Sequence, residues 1–158
     1  MSTRVPSDSW FDDFRVGDIF KHARGKTVTE MDNVLITNLV INTAEGHYNE
    51  HKQSQMPVAE HLRHRVVFGG ITVAMIVGLA AQDTTARAIA ELGMDKIRLR
   101  QPVLHGDTLY AYSEVLEKTE RDDSSGEVRF RHWGVNQHDA VVFEGERTLL
   151  LSRQPAAR

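Results

Sequence analysis

Two stretches of this chain carry residue types that could do chemistry together. In Asn42-Thr43-Ala44-Glu45-Gly46-His47-Tyr48-Asn49, two polar side chains, Asn42 and His47, stand five residues apart at the expected end of an amphipathic helix. Some twenty residues later Phe68-Gly69-Gly70 opens a wholly apolar helix. A helix N-terminus presents free N–H groups where developing negative charge is best stabilised. A neutral imidazole can take a proton from water or return one to carbon or oxygen, which makes His47 the acid/base candidate. His47 capping a helix C-terminus is the other role open to it. An acid/base group facing backbone donors suits chemistry at the α and β carbons of a thioester.

The elements that must hold these groups can be read from pattern. Ile19 to Arg24 is strand-like and is interrupted by Gly25. Thr29 followed by Glu30, Met31 and Asp32 opens a helix in the Thr-x-x-Asp manner, Val34, Leu35, Leu39 and Ile41 keep its period, and it should end near Gly46. His47 to Val67 is polar, contains Pro57, and reads as an ordered loop with one turn near Ala59 to Arg63; a loop of that length is usually functional. Gly70 to Gln82 is apolar on every face and predicts a core helix surrounded by protein. A second short helix is expected from Thr85 to Leu92, with Gly93 in the C′ position. Ile97 and Leu99 then alternate with Arg98 and Arg100. Leu109 to Val115, Val128 to Val135 and Ala140 to Leu151 follow as strands, with hairpin turns at Asp122 to Gly126 and Asn136 to Asp139. The fold class is α+β: an antiparallel meander with one apolar helix laid on it. Open sheet edges predict a dimer.

Composition narrows the alternatives. At 158 residues with 41% hydrophobic content the chain suits one domain, here residues 10–153, with 1–9 as a flexible leader and 154–158 as a tail. There is no cysteine, so disulfides, thiolate nucleophiles and Cys-ligated metals are excluded, and cytoplasm is the default expectation. The longest apolar run, Ile71 to Ala81, is about half a bilayer span, so no membrane segment is expected. A net charge of -3 argues against a nucleic-acid surface, although Arg63/His64/Arg65 and Lys96/Arg98/Arg100 are local basic clusters that could meet a phosphorylated ligand or form a solvated face.

With Asn42 and His47, Val67-Phe68-Gly69-Gly70 before an apolar helix, and Pro102-Val103-Leu104-His105-Gly106-Asp107-Thr108-Leu109 on the page, the chain resembles the MaoC-like hydratases and dehydratases of the hotdog fold from about Trp10 to Arg153. Thr-Val-Thr-Glu-Met-Asp-Asn-Val-Leu at 27 to 35 is most similar to the mesaconyl-CoA or itaconyl-CoA hydratase branch. The resemblance implies an antiparallel sheet wrapped around a central helix. It also implies reversible, (R)-specific addition of water to a 2-enoyl-CoA, in a homodimer or an assembly of dimers. His47 matches the family histidine. The family aspartate is Asn42 here, and an amide orients water or substrate through its donor and acceptor groups but does not relay a proton as a carboxylate does. The family oxyanion hole transfers to the Gly69 N–H with Gly70 beside it, and Asn49 is a candidate for a contact with substrate or with the loop backbone. The resemblance leaves CoA as part of the substrate and implies no separate cofactor.

Two motifs point elsewhere and are discounted. His47-Tyr48-Asn49-Glu50-His51 matches H-x-x-E-H, but the metal chemistry of that pattern needs a long helix, which Gly46 and Pro57 oppose. His61 and His64 have helical spacing without a carboxylate partner. No metal and no redox cofactor are expected. The rival functions are a thioesterase on the same fold and a non-catalytic acyl-CoA-binding subunit.

Overall fold

The computed structural model describes residues 9–155. Five antiparallel strands form one sheet: β1 (Ile19–Thr27), β2 (Ala88–Leu99), β3 (Thr108–Glu120), β4 (Ser125–Val135) and β5 (Val141–Ser152). Their spatial order is β1-β3-β4-β5-β2, so β1 and β2 are the edges. The segment between these edge strands carries α1 (Glu30–Leu39), α2 (Glu50–Ser54) and α3 (Gly69–Thr84). The α+β class and the sheet wrapped on one helix are as expected.

Alternation along β3, β4 and β5 turns one face inward, where α3 lies. Ile71, Ile76 and Ala80 of α3 are fully buried against Leu109, Ala111, Val142 and Phe143. At Gly134 the sheet approaches α3 so closely that a Cβ would meet the Ile76 side chain. A second apolar cluster fills the far end, built from Phe11, Phe14, Phe20, Val115, Val128, Phe130, Leu149 and Leu151.

A row of polar side chains crosses the inner face near these two clusters. Asp83 of α3 accepts from His22 Nδ1 at 2.6 Å, which leaves His22 Nε2 to accept from Ser113 Oγ at 2.7 Å. Ser113 in turn accepts from His132 Nδ1 at 2.7 Å. On β5, Arg147 binds Glu91 of β2 through two bonds of 2.9 and 2.8 Å. The row thus takes one residue from every strand.

Several expectations are corrected. The helix expected to reach Gly46 closes at Leu39. Asn42 N–H returns to Thr37 O (3.0 Å) and Ile41 N–H to Asn38 O (3.1 Å), the pattern of a Schellman cap, with Ile41 at φ 55 in the position that usually needs glycine. The apolar residues Leu35, Leu39 and Ile41 face outward, while Asn33 and Thr37 are the buried ones. α3 is not enclosed on all sides: Gly70, Ala74, Gly78 and Gln82 form an exposed stripe. Residues 85–92 are not a helix. From Ala88 they are strand β2, paired with β5 from Ala88↔Leu151 to Leu99↔Phe143, and Gly93 lies within that strand. Long-range pairing overrides the helix preference of an alanine-rich segment. Gly25 stays within β1, at a register irregularity between Lys21 and Gly25. Ser9, placed with the leader, is buried, and Gln154, placed with the tail, donates its N–H to Asp12 Oδ2 (2.9 Å); residues 1–8 and 156–158 of these segments lie outside the described residues. Among the described residues no helix is long and apolar enough to cross a membrane.

Burial, then the nearby Arg147 and His22, push the His132 imidazole down from 6.5 to about 3. The unfolded chain binds that proton near 6.5 and the folded chain does not, so the contribution of His132 to stability is fully present above pH 6.5 and is lost, on the order of 1 kcal/mol per pH unit, as the pH drops towards 3. Thermal unfolding followed between pH 7 and 4 should therefore show a steeper decline in the parent than in His132→Gln; equal slopes would show that His132 does not set the acid sensitivity.

Candidate functional site

Helix α1 begins on a reciprocal cap. Thr29 Oγ1 accepts from Asp32 N–H (3.1 Å), and the Asp32 carboxylate accepts from Thr29 N–H (2.8 Å). The Lys26 ammonium, with the bonds from Thr29, holds the Asp32 carboxyl at about 2. The chain leaves α1 through Ile41 and turns at Asn42, whose Oδ1 accepts from Ala44 N–H at 2.8 Å. A single 3₁₀ turn, Glu45–His47, then delivers His47. Its ring Nδ1 donates to Val66 O at 2.9 Å, which leaves Nε2 as the basic nitrogen, and the ring lies beside Phe68 with centroids 5.6 Å apart.

Opposite His47, α3 starts at Gly69 with no side-chain cap and no acidic residue in its first turn. Ile71 and Thr72 N–H both return to Phe68 O, at 2.9 and 3.4 Å. The Gly69 and Gly70 amides are the orphan donors that every helix N-terminus leaves. A Cβ at Gly69 would run into the Leu99 side chain.

Between them lies a cleft of about 300 Å³ lined by His47, Val66, Val67, Gly69, Thr72, Leu99, Arg100, Gln101, Pro102 and Val103. Among the described residues its wall is mainly apolar and holds no carboxylate. Arg100, just past the end of β2, borders it, but its guanidinium turns to the outer face of the sheet, where Nε donates to Glu144 Oε2 at 2.7 Å.

Of the residues singled out from sequence, His47 and Gly69 meet in this cleft. Gly70 is exposed beside it and is not part of the lining. Asn42 and Asn49 do not line it either. The carboxamide oxygen of Asn42 is occupied within its own turn. Asn49 caps α2: its Oδ1 accepts from Lys52 N–H (3.0 Å) and its Nδ2 donates to Glu45 Oε1 (3.1 Å). Arg100 was singled out only as part of a basic cluster, and Thr72 and Gln101 were not anticipated. Nor was Asn33, which is fully buried in α1 and bonds to the His47 carbonyl and the Phe68 N–H. The motif that contained Asn33 was visible, but its spacing gave no sign of the inward direction.

The discounted motifs disperse. His51 Nε2 lies 3.2 Å from Gln55 Nε2, while Glu50 binds His64 (2.7 Å) and Arg65 (3.1 Å). Arg65 also pairs with Glu30, so that basic cluster ties the loop to α1 and α2. Lys96 pairs with Glu146 and Arg100 with Glu144 on the outer face of the sheet. Among the described residues no group of three or more His, Asp or Glu side chains converges as metal ligands would.

A five-stranded antiparallel sheet wrapped on one long helix is the hotdog fold. A structure from Mycobacterium tuberculosis described as a double hotdog fold superimposes with a TM-score of 0.78, covering 94% of this chain and 46% of that one at 21% identity. The mesaconyl-CoA hydratase family model matches residues 8–153, so the chain belongs to that family within the MaoC-like group. Among relatives, the beta-methylmalyl-CoA dehydratase of Chloroflexus aurantiacus is 27% identical over 94% of this chain and 46% of its own length. The mesaconyl-CoA hydratase of Cereibacter sphaeroides is 30% identical over 94% of this chain and 42% of its own. The chain thus spans a little under half the length of the curated relatives it matches.

Ile41 holds a β-branched side chain in the left-handed region, a conformation that costs about 1–2 kcal/mol in an L-residue. The side chain is 83% exposed and so regains little by packing. Ile41→Gly should raise the urea unfolding free energy by about 0.5–1 kcal/mol once the extra freedom of the unfolded chain is subtracted. A destabilised variant would show that Ile41 has packing the cap geometry does not account for.

Proposed function

We propose that the cleft hydrates a 2-enoyl-CoA thioester, and dehydrates the 3-hydroxyacyl-CoA in reverse. The observation that carries this reading is the placement of a histidine with a tied Nδ1 and an unshared helix amide in one apolar cleft without a carboxylate. In the forward direction His47 Nε2 accepts a proton from water as the oxygen bonds to C3. The electron pair of the double bond shifts towards the thioester, whose oxygen becomes an enolate facing the Gly69 N–H. His47 then returns the proton to C2, so one water is added and no other group is consumed. A single preorganised donor at such an oxygen is worth roughly 2.7–4 kcal/mol. Asn42 has its Oδ1 occupied and lies outside the cleft lining, so its part in orienting water or substrate is limited to its Nδ2. Asn49 serves by holding the loop behind His47.

An acyl group with a second carboxylate is proposed from the mesaconyl-CoA hydratases among the relatives. A homodimer is also proposed. β2 is an open edge whose Ile89, Leu92, Met94, Ile97 and Leu99 are exposed, and α1 presents Met31, Leu35 and Leu39 outward. A second copy covering these surfaces would supply two hotdog units, the number described for the double-hotdog structure. Light scattering should give twice the chain mass, and Leu92→Asp should shift it towards one; a monomeric parent would overturn the dimer.

The function is tested by absorbance at the enoyl-thioester band with crotonyl-CoA, mesaconyl-CoA and itaconyl-CoA, with a thiol reagent in parallel. Hydration removes the band without releasing thiol, and His47→Ala should lower the rate by about 10²–10⁴-fold with its circular dichroism unchanged. Thiol release would identify a thioesterase, silence in both channels a binding subunit, and full activity in His47→Ala would rule out the assigned acid/base.

A further inference from the structure

Helix α1 is amphipathic the wrong way round. Asn33 and Thr37, one turn apart on its inner side, are 0% exposed, while Met31, Leu35 and Leu39 on its outer side are 69%, 59% and 77% exposed. A buried carboxamide is costly unless both of its ends are satisfied. Those of Asn33 are. Its Oδ1 accepts from Phe68 N–H (3.0 Å) and from Thr37 Oγ1 (3.3 Å). Its Nδ2 donates to His47 O (2.8 Å) and to His105 Nε2 (3.0 Å), with Val66 O a further 3.5 Å contact. The two donors and two acceptors around it admit one orientation of the amide only.

We propose that Asn33 is a positioning residue for the hydration step, setting the separation between the His47 imidazole and the Gly69 amide, and that His105 is the neutral acceptor that fixes its amide. The proposal rests on the functional reading above. His47 and Gly69 belong to different elements, and Val66 already pairs with the turn of His47 through Gly46 O and His47 Nδ1. Asn33 adds the bond that reaches closest to α3: it holds the carbonyl of His47 and the N–H of Phe68, the residue immediately before Gly69, in one rigid amide. Two motifs noted in the sequence, around Asp32-Asn33 and His105-Gly106-Asp107, meet at this contact. His105 can accept only while Nε2 is unprotonated. Burial and then Arg65 hold its pKa below the usual value, against the opposing Glu30 and Glu50 carboxylates.

Asn33→Asp keeps the shape and the acceptor for Phe68 and Thr37 but offers no N–H to His47 O. It should lower kcat by about 10²-fold, the scale expected for a misplaced catalytic group, with KM within about threefold of the parent. Thr37→Val removes a buried bond on the far side of the same carboxamide; it should lower the unfolding midpoint yet leave kcat within about twofold. His105→Gln, which retains an acceptor, should keep most of the activity that His105→Leu loses. The His47 ring ¹⁵N resonances and their titration give a readout independent of turnover, altered in Asn33→Asp and His105→Leu and parental in Thr37→Val. Parental kcat together with parental His47 resonances in Asn33→Asp would overturn the proposal. If the parent shows no hydration, the functional reading fails on its own, and the His47 resonances still decide whether Asn33 positions the ring. If Asn33→Asp does not fold, the contrast between His105→Leu and His105→Gln decides.

Discussion

One buried carboxamide ties the working parts of this molecule together. Asn33 bonds the loop that carries His47, the start of α3 that carries Gly69, and the turn that carries His105. Beside it, Val66 joins the same two sides through Gly46 O (3.1 Å) and His47 Nδ1 (2.9 Å), but of these links only the carboxamide also takes in α1 and His105. Because these bonds are shielded from water they are stronger than equivalent bonds at the surface, and the unpaired alternative is correspondingly expensive. The reversed polarity of α1 follows from the same constraint: its inner side must carry the amide and the hydroxyl, which leaves its apolar residues outside.

The cleft also depends on the depth at which α3 sits. Gly134 lets the helix settle onto β4 through Ile76, and Gly69 lets its first turn approach Leu99 at the end of β2. Between these two close approaches the helix axis is fixed against the sheet. Its first two amides therefore come to rest beside the Leu99–Val103 segment that forms one wall of the cleft. The same helix is thus core at Ile71, Ile76 and Ala80 and, at its N-terminus, leaves amides without an intrahelical partner beside the cleft.

Much of this was legible in the sequence, for reasons that differ by element. The period-two runs of β3, β4 and β5 show because one face is buried and the other wet. The start of α3 shows because two glycines precede an uninterrupted apolar stretch, and its order after Asn42 and His47 pointed to the cleft in which His47 and Gly69 meet. β2 was misread because Ala88 to Leu92 favours a helix locally, and only pairing with β5, some sixty residues distant, makes it a strand. The end of α1 was misplaced because the left-handed capping position holds Ile41 rather than glycine. The inward direction of Asn33 and of the His22–Ser113–His132 row had no local signature. Their partners lie on other elements, 14 to 91 residues away, and an isolated Asn or His in a strand or helix reads as surface.

The polar row across the sheet has a consequence for how the strands find their alignment. A strand slipped by two residues still turns its apolar side inward, so hydrophobic burial by itself distinguishes neighbouring registers poorly. Such a slip of β1, β3 or β4 would carry His22, Ser113 or His132 out of line and set an imidazole or a hydroxyl against phenylalanine and valine. A slip between β5 and β2 would separate Arg147 from Glu91 in the same way. The bonds from Asp83 to His132 therefore act as a registration mark for β1, β3 and β4, and the Arg147–Glu91 pair as a second one for β5 and β2, the strand whose end reaches the mouth of the cleft.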